Sequence, residues 1–64
     1  MINSNKAKEI VRIFLEQNHV VRHIKEPILE GRTWIVEANV TSFVVNHIKR
    51  VEVDAETGRV IGYK

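Results

Sequence analysis

The segment from Val51 to Tyr63 constrains the fold of this chain more than any other, because it reads as strand, turn, strand. Val51 and Val53 alternate with Glu52, a breaker run follows from Asp54 to Gly58, and Val60, Ile61 and Tyr63 resume a β-prone pattern. A backbone with that sequence reverses most cheaply as a hairpin. Asp54 can accept from turn amides, and Gly58 can take the left-handed conformation that a side chain resists.

Only 64 residues are available to support that hairpin. A domain of this size buries only about 60% of the surface its unfolded chain exposes, so the core must be small. With no cysteine in the sequence, disulfides cannot compensate, and stability has to come from packing or from a partner subunit. Hydrophobic residues make up 44% and charged residues 28%, a composition that argues for a folded domain and against disorder. Ten Lys and Arg against eight Asp and Glu leave a formal charge of +2, which is weak support for nucleic acid as a partner. The start, Met1-Ile2-Asn3-Ser4-Asn5-Lys6, leads into a charged segment without a continuous apolar stretch. The expectation is a cytoplasmic protein with neither signal peptide nor membrane span.

Periodicity places a helix over residues 4–18. Ala7, Ile10, Val11, Phe14 and Leu15 recur at three- and four-residue spacing, with Ile13 widening the apolar stripe to about half the circumference. Asn3, Ser4 or Asn5 can cap its start, and Asn18 can stop it. A first strand is expected over Val20 to Glu26, ended by Pro27, and Glu30-Gly31-Arg32 makes a turn after Ile28 and Leu29. The clearest strand runs from Thr33 to Thr41, because Trp34, Val36, Ala38 and Val40 alternate with Ile35, Glu37, Asn39 and Thr41. The helix should pack on the Trp34 face. Phe43 to Asp54 reads as one long β-rich run whose alternation changes phase, which a bulge near Asn46 to Lys49 would reconcile. Arg59 to Tyr63 is the last strand. These elements predict an α+β domain, one N-terminal helix packed on a three- or four-stranded antiparallel sheet.

With a helix first, then a strand like Trp34-Ile35-Val36-Glu37, then the Val53-Asp54-Ala55-x-Thr57-Gly58-x-Val60 hairpin, the chain resembles the PepSY domain over most of its length. That resemblance implies an interaction module, since members occur in peptidase propeptides and cell-envelope proteins and are thought to bind and restrain peptidases. It supplies no catalytic residues. The expectation of no signal peptide, membrane segment or attached catalytic domain sets the chain apart from that setting.

The chemistry-bearing side chains suit structural roles better than catalysis. His19 and His23 would share a helix face and could bind a transition metal, yet the helix is expected to end before them. In a strand they lie about 13 Å apart at a rise of ~3.3 Å per residue, too far for one ion. With no cysteine and no adjoining carboxylate cluster, His19, His23 and His47 are expected to be solvated or hydrogen-bonded, and no metal and no cofactor are expected. Asp54 and Glu56 suit turn chemistry better than acid/base work, and Ser4, Ser42, Thr33, Thr41 and Thr57 lack a nucleophile motif. Gly31, Gly58 and Gly62 are too scattered for a phosphate loop.

Two functions follow, both non-enzymatic. The first is a protein-interaction module, or a self-associating one, that works through a free sheet edge. Ile35, Phe43, Val44 and Tyr63 are its candidate residues, since they cannot all fit under one helix; the alternative for each is a place in the core. The second is nucleic-acid binding through Arg22, Lys25, Arg32, Lys49, Arg50 and Arg59, with Trp34, Phe43 or Tyr63 stacking on bases. Glu26, Glu30, Glu37, Glu52 and Glu56 interleave with those cations and favour a solvated, mixed-charge face.

Overall fold

Asn3 begins the ordered chemistry of the chain by capping helix α1, Ser4–Glu16: its side chain accepts from the Lys6 amide at 2.8 Å. The computed structural model describes residues 1–64. The helix stops two residues earlier than the periodicity predicts, where Asn18 and His19 both donate their amides to the Leu15 carbonyl, at 3.2 and 2.9 Å. Ala7, Val11 and Leu15, spaced by four, form its fully buried row. Ile13 does not belong to that stripe and is 57% exposed. At about 100° per residue it lies some 200° round from Val11, on the far side.

Five antiparallel strands follow: β1 Val20–Ile24, β2 Ile28–Glu30, β3 Thr33–Ser42, β4 Val45–Asp54 and β5 Val60–Tyr63. Their order is β1-β3-β4-β5, with β2 also paired to β3. The strand count is five rather than three or four because one edge is divided. β1 pairs with Ala38 to Thr41 and β2 with Thr33 to Ile35, so both lie along the same side of β3. Between them Pro27, buried and without an amide to donate, interrupts the ladder, and only the Lys25 amide, 2.8 Å from the Glu37 carbonyl, continues it.

Strand β4 also differs from expectation. It is continuous, with unbroken register from Ser42 opposite Val45 to Thr33 opposite Asp54. The phase change suggested by Val44-Val45 is no bulge. Val44 is a turn residue, while Val45, His47, Lys49, Val51 and Val53 alternate regularly onto one face. The irregularities fall in the edge pairings instead, between Val21 and His23 in β1 and beside Glu52 and Val53 where β5 joins.

Helix α1 packs across β1, β3 and β4 on the Trp34 face, as the alternation predicts. The core joins Ala7, Val11 and Leu15 to Ile24, Val36, Ala38, Val40, Val51 and Val53. At the far end of the helix from Leu15, the Trp34 indole donates to the Ile2 carbonyl at 3.1 Å and the Ile2 amide donates to the Ala55 carbonyl at 2.7 Å. The C-terminal hairpin closes as its residues dictate. The Gly58 amide donates to the Asp54 carbonyl at 2.8 Å, the Glu56 amide to Asp54 Oδ1 at 2.9 Å, and Gly58 has φ +78°. Asp54 is therefore engaged in its own turn.

Candidate functional site

The β3–β4 hairpin carries the most exposed apolar group on the molecule. Ser42 faces Val45 across the ladder, leaving Phe43 and Val44 as a two-residue loop. Phe43 is 98% and Val44 94% exposed, and behind them Val45 and Ile48 are 51% and 62% exposed. Phe43 has φ +59°, the only non-glycine residue with positive φ. The β2–β3 hairpin shows the usual solution for the same geometry, since Gly31 holds the first loop position at φ +61°. A bulky aromatic in that backbone region stores strain on the order of 1–2 kcal/mol, and strained residues of this kind cluster at functional positions.

Replacing Phe43 by Gly is accordingly expected to raise stability by about 1 kcal/mol in chemical denaturation, since the side chain contributes almost no burial to offset the backbone strain. A loss of stability of that size would show that the tip is held by contacts of its own.

Charge is distributed unevenly along the molecule, whose principal extents are 36 × 18 × 17 Å. From Ala38 to Val51 there is no acidic residue, while His47, Lys49 and Arg50 lie in that stretch. On the sheet face away from the helix, Arg22 Nε donates to Thr41 Oγ1 at 3.2 Å, and Thr41 Oγ1 donates to Asn46 Oδ1 at 2.7 Å. That pair of bonds fixes β1 to the base of the hairpin. A surface depression of about 550 Å³ lies alongside, lined by Arg22, Asn39, Val40, Asn46, His47 and Ile48.

Of the four candidate interaction residues, Ile35, Phe43, Val44 and Tyr63, only Phe43 and Val44 come together. Ile35 sits half-buried on the face away from the helix, beside the charged side chains of Lys25, Glu37 and Arg50. Tyr63 lies on the helix side, edge-on to Phe14 with ring centroids 5.1 Å apart and 5.6 Å from Lys49 Nζ. The six candidate cations are likewise dispersed. Arg22, Lys49 and Arg50 flank the hairpin, but Lys49 and Arg50 are consecutive in β4 and project to opposite faces. Arg32 lies at the other end, where its carbonyl accepts from the Ala55 amide, Arg59 belongs to the nearby closing turn, and Lys25 pairs with Glu37 at 3.8 Å. His23 and His47 face opposite sides of the sheet, and no three His, Asp or Glu side chains converge to hold a metal ion.

Sequence reasoning missed Val45, Ile48 and the backbone edge that they border. Arg50 and Lys64 exchange amide–carbonyl hydrogen bonds in both directions, at 3.3 and 2.9 Å, so the main-chain groups of Arg50 point toward β5. By the two-residue alternation of a strand, those of Ile48 and Asn46 point the same way. No strand of residues 1–64 lies against them.

These features define a one-helix α+β domain with an exposed, apolar-tipped β-arm. Comparison with protein-family models, with curated proteins and with solved structures finds no match. No helix is long and apolar enough to cross a membrane.

Proposed function

We propose that the chain is a non-enzymatic protein-interaction module whose contact element is the β3–β4 arm. The observation that carries this is the pairing of near-complete exposure with backbone strain at Phe43. Neither property helps the isolated domain fold, and both make sense if the tip is covered by a partner. The resemblance of the C-terminal hairpin to PepSY domains points the same way and extends the proposal to peptidases as one class of partner. A cytoplasmic setting belongs to the same proposal.

Nucleic-acid binding is the second reading, favoured by the acid-free stretch around Lys49 and Arg50 and by Arg22 beside it. The dispersal of the six cations over both faces and both ends weakens it, because phosphate tracking needs a continuous basic surface. Capture from a native lysate on the immobilised domain separates the two. A defined protein, endogenous copies of the chain included, retained after nuclease and at high salt is the expected result. Recovery of nucleic acid that disappears with either treatment would replace the proposal with the second reading, because phosphate contacts release counterions and weaken steeply with salt.

A further inference from the structure

We infer that the arm's partner is a second copy of this chain, joined antiparallel along the outer edge of β4 with Asn46 opposite the second copy's Ile48. This rests on the arm being the contact element.

The main-chain geometry selects that register. Asn46 and Ile48 present unpaired amides and carbonyls on the same edge, two residues apart, which is the spacing of consecutive hydrogen-bonded pairs in an antiparallel ladder. Placing Asn46 against Ile48 in both directions about a two-fold axis satisfies all of these groups at once. Placing Ile48 against itself would set Asn46 opposite Arg50, whose groups Lys64 already engages. Placing Asn46 against itself would set Ile48 opposite Val44, which belongs to the turn.

Side-chain chemistry agrees with that choice. His47 meets its own copy across the axis and Lys49 lies opposite Val45, while Val44, a turn residue, leaves the ladder before the place beside Arg50 that Lys64 occupies, so no Lys or Arg directly opposes another. The aliphatic stems of these cations can cover the valines. Both Ile48 side chains lie on the face away from the helix, on either side of the axis. Each tip, with Phe43 and Val44, is carried alongside the second copy's Lys64 end of β5. Covering Phe43, Val44, Val45 and Ile48 in both copies removes on the order of 1,000 Å² from water with the adjoining backbone, the lower end of what a specific dimer buries. The edge formed by β1 and β2 is broken by its register shift at Val21 and His23 and by Pro27, which disfavours further strand addition there. The pairing therefore closes as a dimer instead of growing into a filament.

Sedimentation equilibrium of the 64-residue protein from micromolar to millimolar concentration should show a reversible monomer–dimer equilibrium. Ile48→Pro removes an amide that β3 does not use, so the fold should persist while the dissociation constant rises at least tenfold, as expected for the loss of two hydrogen bonds across the axis. Because the chain has no cysteine, His47→Cys under mild oxidation should give a covalent dimer. Opposed residues of that kind lie about 4.5 Å apart between Cα atoms, within disulfide reach. Val45→Cys, which faces Lys49, should cross-link far more slowly. A wild-type chain that stays monomeric at millimolar concentration, or equal cross-linking of the two cysteine variants, would overturn the inference. If the monomer nevertheless captures a different protein, and Phe43→Ser with Val44→Ser abolishes that capture, the second copy is the wrong partner while the arm remains the contact element.

Discussion

Leu15→Ala should lower the melting temperature by on the order of 10–30 °C, since truncating a fully buried leucine removes about 2–5 kcal/mol and a domain this small shifts several degrees per kcal/mol. Leu15 is 1% exposed and ends the buried row of α1, where the helix meets the Val40 end of the sheet. A domain of this length has only about 3–10 kcal/mol of total stability, so this one cavity takes up a large share of it. Little can collapse into the space, because Val11, Val36 and Val40 are held by the backbone of helix and sheet. Thermal denaturation followed by circular dichroism checks the result. A shift below about 3 °C would mean that the helix is not seated on the sheet as described, since even the low end of the truncation penalty exceeds it.

Gly58→Val is expected to destabilise by about 1–3 kcal/mol, because a β-branched residue strongly resists positive φ. The backbone at Gly58 has φ +78°, and a Cβ there would stand 3.4 Å from Ile10 Cδ1 and 3.8 Å from Ile2 Cγ2. Those distances are ordinary contact for the Cβ itself, so backbone conformation rather than crowding is expected to dominate. Gly58→Asn separates them, since asparagine tolerates the left-handed region yet still carries the Cβ. Urea denaturation should place Asn between the wild type and Val. If Val leaves the midpoint unchanged, the turn does not require the conformation assigned to it. If Asn is as damaging as Val, crowding against α1 dominates over backbone strain.

Residues whose local chemistry and burial agree are legible in the sequence alone. The alternation of Trp34, Val36, Ala38 and Val40 places β3 and the face that the helix covers, and Asp54 with Gly58 places the closing turn. What escapes is set by tertiary context. β2 has three residues, too few for a periodicity, and exists because β3 offers an edge beyond Pro27. The tip is hidden more thoroughly. Phe43-Val44 contains none of the usual turn residues, and two β-prone side chains in a loop read as strand. The same substitution of expected chemistry that conceals the turn leaves the phenylalanine exposed, so Phe43 and Val44 are legible as contact residues while their place in a loop is not. Ile13 shows the opposite failure, an apolar residue counted into the stripe although helical geometry turns it to the other side.

The most direct test of the arm as contact element compares protein capture by the wild-type domain and by Phe43→Ser with Val44→Ser, after nuclease and at high salt. Both side chains are exposed, so the two proteins should melt within a few degrees of each other. Retention of a defined protein by the wild type, a second copy included, and its loss from the double variant is the predicted result. Equal retention by the two would contradict the proposal and move the contact surface elsewhere on the sheet.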